Sequence, residues 1–396
     1  MKNILIAIRS IFKKGRHNVM KIVSLGIGLA VGLVLIAKVY FEQSYDDFYP
    51  DRDRVYQVWA KYQQNGGELK DYPQTSGGIA PTMQQQIPEI ETVTRYTSFG
   101  DWTFTMTDTK MKYSGRCIIA DSCFFDILPR PMLIGNAKEV LSTPMYVLVS
   151  SRIAKNIGGD VIGKNFTVDN SPGRTMTIGG VFEEVPENSH SRYDVIVSMA
   201  SAGRFMWEGS PTNMLGNDRY ISYVKLHKGV NPLALEEQVH TFVNSYFPPE
   251  EQQKTGFNIG FSFHELDGLH KELPQVKRMT WILSLLAFAL IFTAVMNYIL
   301  IVISSIVNRS KEVAVHKCYG ASENNIHGMM FGEALVHIVL SLILALLLIL
   351  AFRGTVEELL ATSLDSLLLS NGSLVLLGIC ICLLYTSPSP RDYAAS

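Results

Sequence analysis

Three apolar runs constrain this chain more than any other feature: Ile22 to Phe41, about Thr280 to Val307, and about Met329 to Phe352. Each reaches or exceeds the roughly 20 residues that an α-helix needs to cross the hydrocarbon core of a bilayer. A helix satisfies its own backbone in lipid, so the runs predict membrane helices. Lys38 interrupts the first run, on a stem long enough to carry its ammonium to the interface. Between the first two runs the chain has ordinary globular composition, so the overall 47% apolar content averages two different kinds of sequence. The predicted fold class is a multi-pass α-helical membrane protein with a large α+β extracytoplasmic domain inserted between the first and second membrane helices.

The expected boundaries follow the runs: a basic N-terminus over 1–21, membrane helix 1 over 22–41, the inserted domain over 42–275, and membrane helix 2 over 280–307. A charged loop over 308–328, membrane helix 3 over 329–352, an extracytoplasmic loop over 353–373 and the start of a fourth membrane helix over 374–381 complete the sequence. Lys2, Arg9, Lys13, Lys14, Arg16 and Lys21 precede the first run with no acidic residue among them, which places the N-terminus in the cytoplasm. Counting crossings puts the inserted domain outside and the 308–328 loop inside, where Arg309, Lys311 and Lys317 fit the same rule. Lys277 and Arg278 fall on the side that the rule disfavours. The first run is too long for a signal peptide, and no A-x-A site follows it, so it is read as an anchor. Gly28 and Gly32 form a G-x-x-x-G pattern on it, the spacing that permits close helix packing.

The last residues read differently. Cys382-Leu-Leu-Tyr-Thr-Ser-Pro-Ser-Pro-Arg-Asp392 resembles the translated adapter of a transposase-based sequencing library, so 382–396 is set apart from the fold and the native C-terminus is expected to lie beyond the sequence.

Within the inserted domain, Arg54 to Tyr62 alternates, with Tyr56, Val58, Ala60 and Tyr62 on one face of a half-buried strand. Trp102–Thr107, Tyr146–Val149, Thr175–Phe182 and Ile221–Leu226 are further strand-like runs, and Pro232–Phe247 has helical spacing behind an N-terminal proline. Cys117 and Cys123 are either a disulfide or two buried thiols. Two motifs are decoys. Gly158-Gly-Asp-Val-Ile-Gly-Lys164 has P-loop spacing, but Asn165 stands where Ser or Thr must hold magnesium, and the segment is placed outside the cell. His264 and His270 are six positions apart with Gly268 between them, which is not the one-turn spacing of a zinc protease. No catalytic residue and no metal ligand is assigned, and a net charge of -1 gives no argument for nucleic acid. Asn297 and His337 are the notable polar groups of the second and third runs, and neither run carries a mid-membrane charge of the kind an ion-coupled transporter uses.

Several segments resemble ABC transporter permeases of the MacB and FtsX type. They are Leu25-Gly-Ile-Gly-Leu-Ala-Val-Gly32, Phe41-Glu-Gln-Ser-Tyr-Asp46, Asp53-Arg-Val-Tyr56, Asp121-Ser-Cys-Phe-Phe125, Val149-Ser-Ser151 with Ala154, Ile162-Gly-Lys164, and Gly180-Val-Phe182 leading to Val185-Pro-Glu-Asn-Ser189. Arg309-Ser-Lys-Glu-Val-Ala-Val-His-Lys-Cys-Tyr-Gly-Ala-Ser322 is similar to that family's signature cytoplasmic loop. The resemblance implies a non-catalytic permease subunit that dimerises and binds a separate ABC ATPase, with ATP and magnesium on that partner and no cofactor on this chain. It also implies, for the MacB branch, a periplasmic adaptor and an outer-membrane exit duct around a protein of the bacterial inner membrane. Export of a drug, peptide or lipoprotein is the expected activity; control of a cell-wall hydrolase or peptide sensing is the alternative.

The loop's own chemistry agrees with such a contact. Residues 309–317 suit a short helix, with Arg309, Lys311, Glu312, His316 and Lys317 around Val313. Gly320 and Ala321 form the break, and Ser322 can cap the next helix with Glu323 in its first turn. Bilayer lipid surrounds the apolar helices and is the other expected partner.

Overall fold

The computed structural model describes residues 18–169, 171–216, 218–308, 318 and 323–369. The chain divides into a helical unit, Met1–Ser44 with Leu273–Ser396, and an inserted unit, Tyr45–Glu272. Helix α1, Asn18–Gln43, is the first described element of the helical unit and runs beyond the apolar stretch at both ends.

The inserted unit is one mixed sheet of eleven strands in the order β11-β1-β10-β3-β4-β9-β6-β8-β5, with β2 added to β1 and β7 to β3 and β8. The strands are β1 (Val55–Gln64), β2 (Lys70–Tyr72), β3 (Ile90–Met106), β4 (Lys112–Ala120), β5 (Met132–Ile134), β6 (Tyr146–Ser150), β7 (Asn165–Val168), β8 (Ser171–Phe182), β9 (Val195–Ser198), β10 (Ile221–Leu226) and β11 (Phe257–Glu265). Helices α2 (Ile79–Gln86), α3 (Ser151–Ile157), α4 (Glu236–Tyr246), α5 (Pro249–Thr255) and α6 (Gly268–Lys271) lie among them. Most pairs are antiparallel, while β4 with β9 and β6 with β8 are parallel. Strands and helices therefore mix in an α+β unit.

The central strands explain why the sheet holds together. Cys117 and Ile119 of β4 join Val147, Val149, Val195 and Val197 in one core, while Ile118 and Ala120 join Leu148 and Ile196 in another. Side chains alternate between faces, so a strand buried on both must be apolar throughout, as these are. A third core gathers Tyr56, Val58, Met83, Val224 and Phe242, where α2 and α4 contribute. Strand β1 begins Val55-Tyr56-Gln57-Val58 with all four residues buried, so its first half is covered on both faces and is not the half-buried strand expected from its alternation. Gln57 tolerates that burial because its Nε2 donates to the carbonyl of Pro73 at 2.7 Å. Strand β3 is long because it bends: the register with β4 shifts between Ser98 and Gly100, where Gly100 has φ 74°.

In the helical unit α7 (Pro274–Asn308) and α8 (Glu323–Ala351) join α1 as helices long and apolar enough to cross a membrane. Residues 323–328, expected in the loop, are the first turns of α8. Residues 353–369, expected in a loop, form two short helices, α9 (Arg353–Leu360) and α10 (Leu364–Leu369), tied by Arg353 to Glu357 at 2.9 Å and to Asp365 at 3.0 Å. Lys38 does not reach away to an interface: it is buried, 2.6 Å from Glu42 Oε1, and donates to Thr362 Oγ1 at 2.8 Å. A buried ammonium needs such partners, since leaving it unpaired costs several kcal/mol.

Candidate functional site

Three groups of residues deserve a functional reading: the charged loop, the faces of α1, and the segments by which the chain enters and leaves the inserted unit. Arg309, Lys311, Glu312, Val313, His316, Lys317, Gly320 and Ala321 lie outside the described residues. Of that loop, Cys318 is described and exposed.

Gly28 and Gly32 line one face of α1. A β-carbon added at Gly28 would overlap that of Ala294, and one at Gly32 would meet the side chain of Ile291, both on α7. Gly26, which the spacing pattern did not single out, turns to α8, where an added β-carbon would stand 2.9 Å from Leu344 Cδ2 and 3.2 Å from the Ser341 carbonyl oxygen. Small residues thus let α1 approach both helices. Polar contacts follow the same surfaces: Asn297 Nδ2 donates to Ser24 Oγ at 2.6 Å, and Ser341 Oγ donates to the carbonyl of Ile22 at 3.1 Å. His337 is buried edge-on to the Tyr298 ring, centroids 6.3 Å apart, so it joins α8 to α7. Glu333, also buried, opens the third apolar span.

Entry and exit segments of the inserted unit are tied to each other by charge. Asp47 Oδ1 is 2.7 Å from Arg52 Nη1 and 2.9 Å from Lys271 Nζ. Asp267 Oδ1 closes the square at 3.3 Å from Arg52 Nε and 2.8 Å from Lys271 Nζ. Burial works against the Lys271 charge, but the two carboxylates outweigh it and hold the ammonium above its ordinary value. Beside the square, Tyr45 and His270 stack with centroids 3.4 Å apart and planes 7° from parallel. Leu266 N then donates to the Val55 carbonyl at 2.9 Å, and β1 and β11 pair from Tyr56↔Glu265 to Gln64↔Phe257.

A second, buried network anchors the entry turn to the middle of the sheet. Asp46 is 1% exposed, and its Oδ1 accepts from Ser189 Oγ at 2.8 Å. Its Oδ2 lies 2.7 Å from His190 Nδ1, while His190 Nε2 meets the Tyr223 hydroxyl on β10 and stands 3.0 Å from Ser191 Oγ. Ser191 Oγ lies 2.7 Å from the Tyr96 hydroxyl on β3. Asp46, His190 and Ser191 therefore have the connectivity of a hydrolase triad. Ser191 is 3% exposed and already engaged by Tyr96, so no substrate carbonyl reaches it, and the network binds segments together instead. Sequence reading found no such constellation, because Asp46 and His190 are 144 positions apart.

The decoys resolve on geometry. The Gly158–Lys164 segment follows helix α3 and precedes strand β7, the reverse of the strand-loop-helix order of a P-loop, and Lys164 Nζ donates to the Gly158 carbonyl at 3.3 Å. His264 sits in β11 stacked on Trp59 at 4.2 Å, apart from the His270 stack on Tyr45. Among the described residues no group of three His, Cys, Asp or Glu could hold a metal. Cys117 and Cys123 are free thiols; burial pushes both up from their ordinary range, with Asp121 adding to the effect at Cys123.

Residues 20–242 match the sequence profile of the MacB-like periplasmic core domain, and residues 284–388 match that of the FtsX-like permease C-terminal. The second match extends over 382–388, part of the adapter-like tail. A solved domain of a putative permease protein from Porphyromonas gingivalis is 32% identical, over 55% of this chain and 91% of that one, with a TM-score of 0.50. The periplasmic region of MacB from Actinobacillus actinomycetemcomitans is 16% identical over 52% of this chain and 87% of that one, TM-score 0.35. The extracellular domain of the ABC-type transporter YknZ from Gram-positive bacteria is 10% identical over 52% and 98%, TM-score 0.37. No curated protein matches the chain.

Proposed function

This chain belongs to the family of permeases that carry a MacB-like periplasmic core domain and an FtsX-like permease domain, and on that premise we propose that it is the motion-transmitting membrane subunit of an ABC transporter. In this reading a separate cytoplasmic ATPase binds ATP and magnesium, and this chain performs no catalysis. Its N-terminus lies in the cytoplasm of a bacterium, its helices cross the inner membrane as a multi-pass bundle, and its core domain stands in the periplasm. Two permeases form the working unit, with a periplasmic adaptor and an outer-membrane duct as further partners.

Chain connectivity supports the mechanism. Helix α1 leads into β1 and β11 leads into α7, and β1 and β11 are adjacent antiparallel strands closed by the Asp47–Arg52–Asp267–Lys271 square. That pairing of first and last strands is the observation that carries the reading. A shift of either helix is delivered to neighbouring strands of one sheet, whose doubly buried centre resists local deformation. On the other side, the segment joining α7 to α8 carries Arg309, Lys311, Glu312, Val313, His316, Lys317, Gly320 and Ala321, which we assign as the ATPase contact. Substrate is exported or extracted by the resulting movement of the core domain.

The test is a reconstituted complex with Glu312→Ala and Lys317→Ala together. ATP hydrolysis is expected to continue while transport per ATP falls, with the core domain still folded. Normal transport by the double variant would show that the loop is not the coupling element.

A further inference from the structure

At the end of β1 opposite the entry, a cleft of about 780 Å³ opens between β1, β2, β11 and the 215–218 segment. Three aromatic side chains line it. The Tyr62 ring has Tyr72 at 5.6 Å and Phe257 at 5.2 Å between centroids. Asp218 enters from the opposite segment: Oδ2 accepts from the Tyr62 hydroxyl at 2.5 Å and Oδ1 from the Ser76 hydroxyl at 2.5 Å. The segment is held in place farther back, where Arg95, ion-paired to Asp121 at 3.2 Å, donates to the carbonyls of both Gly77 and Pro211.

These hydroxyls orient the Asp218 carboxylate but leave its charge uncompensated. Among the described residues no Lys, Arg or His forms an ion pair with it, nor with Glu68, the other acid of the lining. Among the described residues of the wall Lys70 is the only base, against the two acids Glu68 and Asp218, so that lining carries a net negative charge. Burial, reinforced by Asp218, holds the Tyr62 phenol above its ordinary range, which keeps it a donor. A metal ion is a poor occupant, since no suitable group of ligands is present among the described residues. An anion would face Asp218 and Glu68. An organic cation gains on both counts, from the carboxylate and from the faces of the rings. A concave, largely apolar wall with few fixed polar groups is the usual form of a small-molecule site.

We propose that this cleft binds an organic cation, an ammonium or guanidinium on an apolar body, with its charge at Asp218 and its body against Tyr62, Tyr72 and Phe257. The coupling reading neither requires the site nor depends on it, so failure of one leaves the other standing.

Photolabelling of the full chain in lipid nanodiscs tests it. The probe is 4-azidophenyl-trimethylammonium, compared with its uncharged isostere 4-azido-tert-butylbenzene, and adducts are mapped by mass spectrometry. The cation should label the segments around Tyr62, Tyr72 and Phe257 about tenfold more than the isostere, the equivalent of ~1.4 kcal/mol. Asp218→Asn, which keeps an acceptor and removes the charge, should abolish that preference. Should Asp218→Asn disturb the fold, as read by hydrogen exchange, Tyr72→Leu decides, because Tyr72 is 43% exposed. Equal labelling by the isostere, labelling confined to the membrane helices, or full retention in Tyr72→Leu would overturn the proposal.

Discussion

Asp46 shows how much one residue can hold. Its backbone is left-handed at φ 59°, a conformation Asp tolerates better than most side chains, and its buried carboxylate also meets the His190 amide at 3.3 Å. Alanine at this position would leave the His190 donors without an acceptor and the Ser189 hydroxyl with only the Ser191 carbonyl at 3.2 Å, and would remove the polar side chain that eases the left-handed turn. Orphaned buried donors cost roughly 1–3 kcal/mol, and alanine loses part of the tolerance that Asp has for the left-handed backbone. Asp46→Ala should therefore lower the urea midpoint of the inserted unit by the equivalent of about 1–3 kcal/mol, whereas Asp46→Asn, which keeps one acceptor and the turn preference, should lose less. Equal loss in the two variants would remove the hydrogen bonds from the account. Asp46 and Ser189 lie in segments singled out in the sequence, Phe41–Asp46 and Val185–Ser189, but His190 and Ser191 fall just beyond them, and nothing local joins the two. Contacts of such separation carry no periodicity, so they become visible only when the sheet brings its strands together.

At the scale of elements, what was legible had a period. Ile221–Leu226 is β10 at the same boundaries as the run that predicted it, and Pro232–Phe247 is a helical segment whose Val239, Phe242 and Val243 are buried. Strand β11 alternates Phe257, Ile259, Phe261 and Phe263, but Asn258, Gly260 and Ser262 between them are weak strand formers, so the run is less legible than the others. Helices α9 and α10 were missed for another reason: they are short, and their order depends on Arg353 bridging two acids that sequence alone does not pair. The glycines of α1 were half legible, since spacing flagged Gly28 and Gly32 but not which helix each would meet, nor Gly26 on the α8 side. Packing at Gly28 can be tested by complementation. Gly28→Ala puts a methyl onto that of Ala294 and should destabilise the helical unit by about 1–3 kcal/mol, the usual cost of overpacking. Ala294→Gly in the same chain should restore most of the loss, read as thermal stability of the purified protein in detergent. Failure of that rescue would mean that the two residues do not share a contact.

For the whole molecule the question is whether the tie between entry and exit segments matters to stability or to work. Its four ionic contacts involve side chains 17–39% exposed, and pairs of that kind contribute roughly 0–1 kcal/mol each at most. The β1–β11 ladder and the cores behind it hold the sheet without them. A square of alternating charge does something the ladder does not: it ties Asp47, ahead of β1, to Lys271, behind β11, and under the proposed function both ends of the domain would then move together. Neutralising it by Asp47→Asn, Arg52→Gln, Asp267→Asn and Lys271→Met together removes the ionic ties while keeping the side chains' approximate shapes. The domain should keep its hydrogen-exchange protection in β3, β4 and β9, and the partner's ATP hydrolysis should be unchanged. Transport per ATP hydrolysed should fall several-fold, because the ends of the domain would yield before the sheet moves. If that ratio holds at the unmodified value with all four charges gone, the strand ladder alone transmits the motion, and the square is a surface feature of modest stability.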